Sequence, residues 1–180
     1  MTQILEPPTA ADGADRDVVN VLTAQHRRLE AVLDALLKEA EGGRSEACAR
    51  LLASAGDELA AHMSAEESIV YPAVHVARTE GILLESLEEH LSMKRLLADL
   101  MALSPSDVTF QPKCKVLQEQ ARHHHEEEEE HLFPKVRQML DAASRRAMGV
   151  GVQAHEAVLL SQGAPREELM QQTEVAAPLP

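Results

Sequence analysis

Aromatic residues are scarce in this chain of 180 residues, which has one Tyr, two Phe and no Trp. A core without rings must be filled by Leu, Val, Ala and Met, which suits helices, so an all-α fold is expected. Positive charge is also in short supply. With 17 Lys and Arg against 30 Asp and Glu, the formal net charge is −13, which opposes binding to a phosphate backbone or an anionic bilayer; neither a nucleic acid nor a membrane partner is expected. No apolar run approaches the roughly 20 residues that span a bilayer. The segment from Met1 to Asp17 carries acids and prolines where a signal peptide has a basic and then an apolar stretch, so a cytoplasmic location is expected. Cys48 and Cys114 have neither disulfide-framework nor Cys-x-x-Cys spacing and read as reduced structural thiols.

What is present is a set of four long apolar stripes. Residues 1–14, with Pro7, Pro8 and Gly13, read as a flexible N-terminal arm. The bundle is expected over residues 15–148. Its first helix runs from about Arg16 to Ala40, with Leu22, Leu29, Leu33 and Leu36 on one face before Gly42-Gly43. A second runs from about Ser45 to Arg78, with Leu52, Ala55, Leu59, Ile69 and Val76 inward. The third spans about Gly81 to Leu103, and the fourth about Pro112 to Leu140. A short extra helix is expected over residues 149–162, followed by a flexible tail over 163–180.

Each stripe is interrupted by polar residues: His26 in the first, His62 and Glu66 in the second, His90 in the third, His124 and Glu128 in the fourth. These interruptions repeat. Shifted by 64 residues, Leu22, His26, Leu29, Leu33 and Leu36 fall on Ser86, His90, Met93, Leu97 and Leu100. Shifted by 62, the segment from His62 through Glu66 and Tyr71 to Pro72 falls on His124, Glu128, Phe133 and Pro134. The halves read as duplicated helix hairpins.

Residues four apart share a helix face with Cβ atoms about 5–6 Å apart, so His62 with Glu66, and His124 with Glu128, each form a chelating pair. Antiparallel neighbours bring the four His to nearly one level. Four imidazoles and two carboxylates inside an apolar bundle carry a heavy desolvation cost, which a metal removes. Nitrogen and oxygen donors without thiolate suit iron, manganese or zinc, and a glutamate can bridge two ions. Six donors for two ions leave open positions for a small diatomic or peroxide ligand.

This pattern of His26, His62-x-x-x-Glu66 with Tyr71-Pro72, His90, and His124-x-x-x-Glu128 with Phe133-Pro134 resembles the hemerythrin-like, or HHE cation-binding, domain family, over roughly Asp17 to Leu140. The resemblance implies an up-and-down four-helix bundle with two non-haem irons, oxo- or hydroxo-bridged, and Glu66 and Glu128 as bridging carboxylates. It implies binding of O₂, NO or peroxide, for sensing or for protection against oxidative or nitrosative stress. The second reading is an iron-responsive interaction protein, whose protein partner nothing in the sequence names. The chain departs from oxygen-carrying hemerythrins at Lys94, where those proteins have a further His, and in the shorter spacing from His124 to Glu128. Reversible O₂ carriage is therefore not the expected role.

The run His123-His124-His125 allows two registers, and alignment with Pro134, Leu117, Ala121 and Leu132 selects His124. His123 and His125 are then expected on Glu- and Gln-rich faces, and His131 outside the ligand set. His75 and His155 read as surface residues, and Tyr71 as packing, since its repeat partner Phe133 lacks a hydroxyl.

Overall fold

The computed structural model describes residues 16–179, and the expected arm over residues 1–14 lies outside them. Asp17 starts the first helix, α1 (Val18–Glu41), its side chain accepting from the Val19 N–H. The turn that ends α1 contains Gly43 at φ 66°, a left-handed conformation that glycine adopts without steric cost. Helix α2 (Ser45–Ala65) continues through a single π turn (Glu66–Val70) into α3 (Tyr71–Val74). Helix α4 (Glu80–Ala102) is the third rod. Helix α5 (Phe110–Glu127) runs through a second π turn (Glu128–Leu132) into α6 (Phe133–Met139), completing the fourth. The all-α bundle read from the periodicity is the observed architecture, with α1 packed between α2 and α5, and α5 packed on α4 as well.

The two π turns occupy matching places in the repeat, and proline explains both. Pro72 and Pro134 have no N–H to return to the carbonyl four residues back, and their rings crowd that carbonyl. One extra residue per turn relieves the crowding: the Tyr71 and Phe133 N–H groups bond the Glu66 and Glu128 carbonyls five residues earlier. Each glutamate therefore stands where α geometry gives way to π geometry.

The interior is layered. One apolar cluster, including Leu29, Leu33, Leu52, Leu59, Leu97, Phe110 and Leu117, fills the end nearest the Gly42-Gly43 turn. A second, including Val18, Leu22, Tyr71, Leu87, Leu132 and Phe133, fills the other. Between them lies a buried polar layer containing His26, His62, Glu66, His90, His124, His125 and Glu128. Val76, read as inward, is in the turn beyond α3 and is exposed.

The C-terminal part differs from expectation. The fifth helix, α7 (Ala142–Gln162), starts seven residues before the expected boundary at 149 and is capped by Asp141, whose side chain accepts from the Ser144 N–H. Arg145 donates to the α1 cap, Asp17, at 2.7 Å, fastening α7 to the start of the bundle. The stretch expected as a flexible tail carries α8 (Pro165–Leu169), with Leu169 buried and Arg166 paired with Asp57. Beyond it, Gln172 accepts from Lys94, and the Thr173 carbonyl accepts from Arg95. The segment meets Asp57, Lys94 and Arg95 of the bundle as well as apolar core residues, and sequence pattern alone reads its polarity as a tail. Among the described residues, no helix is long and apolar enough to cross a membrane.

Candidate metal centre

The six residues singled out by the repeat all converge in the polar layer. The His62 Nε2 lies 3.3 Å from the Glu66 Oε2, and the His26 Nε2 lies 3.3 Å from the Glu128 Oε2. Glu66 also faces His90 at 3.4 Å, and His124 stands 3.8 Å from Glu128. Donor atoms of His26, His62, Glu66 and Glu128 form one compact group, and those of Glu66, His90 and His124 form another that shares Glu66. The carboxylates thus stand between two sets of imidazoles.

A seventh residue completes the layer. His125, expected on a Glu- and Gln-rich face and left out of the ligand set, is buried, stacks on the His26 ring at a centroid distance of 4.0 Å, and groups with His26 and His62. Consecutive residues on a helix point about 100° apart, but α5 packs against both α1 and α4, so both directions lead inward. His125 turns to His26 on α1, and His124 to His90 on α4. The repeat held a signal for this: the partner of His125 at an offset of 62 is Met63, an apolar residue that is itself buried. His131 is half exposed and pairs with Glu127. Lys94, where oxygen carriers have a histidine, is buried and reaches Glu67 at 2.9 Å instead of the centre.

Every one of the five imidazoles is gripped from outside through Nδ1. Glu129 holds His26 at 2.9 Å, Glu67 holds His90 at 2.8 Å, Glu89 holds His124 at 2.8 Å, Glu30 holds His125 at 2.9 Å, and the Gln25 carbonyl oxygen holds His62 at 3.0 Å. An Nδ1–H donated outward leaves the Nε2 lone pair directed inward, as metal coordination requires. The grips obey the same repeat: Glu67 and Glu129 are 62 residues apart, and Gln25 and Glu89 are 64 apart. Tyr71 is more than packing, since its hydroxyl donates to the Glu128 Oε1 at 2.8 Å and lies 3.4 Å from the His90 Nε2. Of the other histidines, His155 bonds Ser64 at 2.8 Å and His123 is exposed.

Protein groups alone leave this layer unsatisfied. The Nε2 atoms of His26, His62 and His125, both Glu66 oxygens and the Glu128 Oε2 are buried without a hydrogen-bond partner. The His90 and His124 Nε2 atoms face each other at 3.0 Å. Two nitrogens each about 2.1 Å from one ion and at right angles around it are themselves about 3 Å apart. Residues, spacing and orphaned atoms all fit a cation. Charge is distorted correspondingly. Burial, and then the Glu128 charge, raise the Glu66 carboxyl well above the ordinary range. Burial acts upward on Glu128 too, but the His124 and His26 imidazoles outweigh it and hold Glu128 below the usual carboxylate range. Burial depresses His62, His90 and His125. For His26 burial acts the same way but is overcome by Glu128 and Glu129, which leave it raised.

Residues 17–136 match the family described as Hemerythrin HHE cation binding domain. Among characterised proteins, a DNA nickase from Nostoc sp. (strain PCC 7120 / SAG 25.82 / UTEX 2576) is 27% identical over 132 residues, an alignment covering 73% of this chain and 37% of that protein. The chain thus spans little more than a third of that relative's length. No solved structure matches.

Proposed function

The chain belongs to the hemerythrin HHE cation-binding family, and on that premise we propose that its polar layer holds two iron ions that bind O₂, NO or peroxide, in sensing or in protection against oxidative or nitrosative stress. The observation that carries this reading is the inward set of five Nε2 atoms and two carboxylates, most of them without a hydrogen-bond partner while each Nδ1 is fixed from outside. His26, His62 and His125 would hold one ion, His90 and His124 the other, with Glu66 and Glu128 bridging. Imidazole and carboxylate donors without thiolate favour iron over a structural zinc site. Such a pair of ions supplies redox-active positions open to a small ligand.

The chain's own groups shape what can happen there. The His90 and His124 side has one imidazole fewer, so an ion held there would keep more positions open to a small ligand. Tyr71 lies against it, so its hydroxyl is placed to hold a proton between Glu128 and that ligand. The apolar clusters above and below exclude bulk water, and Lys94 with Glu67 closes the flank beside His90. Only the relative's name speaks of DNA; a net charge of −13 opposes phosphate contacts, so no nucleic acid is assigned here.

The test is metal content and the optical spectrum of aerobically purified full-length protein. Two irons per chain with oxo-bridged ferric absorption are expected, and Glu66→Ala should lose more iron than His26→Ala. A colourless protein that takes up no iron after anaerobic Fe(II) loading refutes the assignment. A plasmid-nicking assay on the same sample is expected to show no activity.

A further inference from the structure

Helix α7 lies outside the segment matched to the family, yet it reaches the centre through two hydrogen bonds. The Gln25 Nε2 donates to the Glu156 Oε2 at 2.9 Å, and the Gln25 Oε1 faces the His62 Nδ1 at 3.0 Å. Each link dictates the next. An ionised carboxylate only accepts, so the Gln25 amide must turn its NH₂ to Glu156 and its carbonyl oxygen to His62. That oxygen also only accepts, so His62 must donate from Nδ1. Its Nε2 is then left unprotonated, 3.3 Å from Glu66. Arg28 pairs with the second Glu156 oxygen and holds the carboxylate in place.

The duplicated hairpin shows why this device is needed. At the position equivalent to Gln25 it has Glu89, a carboxylate that accepts from the His124 Nδ1 directly at 2.8 Å. A carboxylate cannot present the wrong face, whereas an amide can. Turned over, Gln25 would offer its NH₂ to Nδ1 and select the Nε2–H tautomer, placing a proton where the metal must bind.

We propose that Glu156 is a positioning residue of the metal centre, fixing the Gln25 amide and through it the tautomer of His62. The inference rests on the reading of the layer as a metal centre, and its test separates the two. Long-range ¹⁵N NMR of the imidazoles in metal-free, full-length protein reports the His62 tautomer directly, and anaerobic Fe(II) titration reports affinity. Wild type should be Nδ1–H at His62. Glu156→Ala should populate the Nε2–H form and weaken the binding of one ion by about 10- to 100-fold, the usual cost of losing such an outer contact. Adding Gln25→Glu to Glu156→Ala should restore both, because the new carboxylate can only accept, as Glu89 does. A merely structural Glu156 would not be rescued in this way. Circular dichroism checks folding, and Glu156→Met, of similar size and without an oxygen acceptor, serves if the Ala variant fails to fold. The proposal is overturned if His62 stays wholly Nδ1–H without the Glu156 carboxylate, or if Gln25→Glu fails to restore Fe(II) affinity. If wild type binds no Fe(II), the metal reading fails, while the tautomer in metal-free protein still decides the role of Glu156.

Discussion

Replacing Glu66 with Gln should stabilise the metal-free protein and abolish most of its stabilisation by metal. Glu66 is fully buried, and neither carboxyl oxygen has a hydrogen-bond partner. Its pKa is raised by burial and by Glu128, so the folded chain keeps a proton that the unfolded chain has given up above about pH 4.3. The contribution of this group is fully present below the unfolded pKa and is lost as pH rises toward the folded one, so at pH 7 it works against folding. A glutamine side chain has the same shape, does not titrate, and can donate to the unsatisfied Glu128 Oε2. Sparing the folded chain that proton uptake at pH 7 is worth about 1–3 kcal/mol, at about 1.4 kcal/mol per pH unit between the unfolded pKa and pH 7, and each kcal/mol moves Tm by about 2–4 °C in a chain of this size. The gain should shrink toward pH 4, where wild-type Glu66 is neutral in both states. With Fe(II) the order inverts: free metal at about 1,000 times its dissociation constant stabilises wild type by about 4 kcal/mol per site, whereas the Glu66→Gln variant supplies no anionic bridge. Differential scanning calorimetry in chelator and in anaerobic Fe(II) measures both effects. A metal-free Glu66→Gln protein that melts below wild type at pH 7, or an equal metal-induced rise in both proteins, refutes the reasoning.

His125→Ala should lower bound iron per chain, while His131→Ala leaves it at the wild-type level; elemental analysis of both variants distinguishes a five-imidazole layer from a four-imidazole one. Tyr71→Phe strands the Glu128 Oε1 in the interior and should cost about 1–3 kcal/mol in metal-free protein by urea unfolding. Because burial depresses His62, His90 and His125, their contribution is complete above the unfolded value of about 6.5 and is lost as pH falls toward the lower folded values. Urea midpoints of metal-free protein should accordingly fall from pH 7 to pH 5, and a flat profile would count against a neutral imidazole layer. Gly149→Ala would bring a Cβ within 2.0 Å of the Arg16 carbonyl oxygen, so it should destabilise the docking of α7 by about 1–3 kcal/mol, measured as faster amide exchange in Ala142–Gln162.

Sequence alone determined the four rods of the bundle, most of their inward positions and the duplicated pattern of His26, His62, Glu66, His90, His124 and Glu128, because hydrophobic periodicity and repeat offsets are local in the chain. Polar residues on an apolar stripe are visible without coordinates, and their desolvation cost makes them meaningful. Only the tertiary structure decided which neighbouring helix each residue faces. His125 turned inward because α5 contacts two helices at once, and the Tyr71 hydroxyl found Glu128 across the bundle. The outer grips on Nδ1 join residues from 23 to 103 positions apart. The link from Glu156 through Gln25 to His62 spans 131 and then 37 positions, and the docking of residues 163–179 is equally remote in sequence. Pairings of that kind are fixed by packing angles and loop closure, which leave no periodic trace in the chain that makes them.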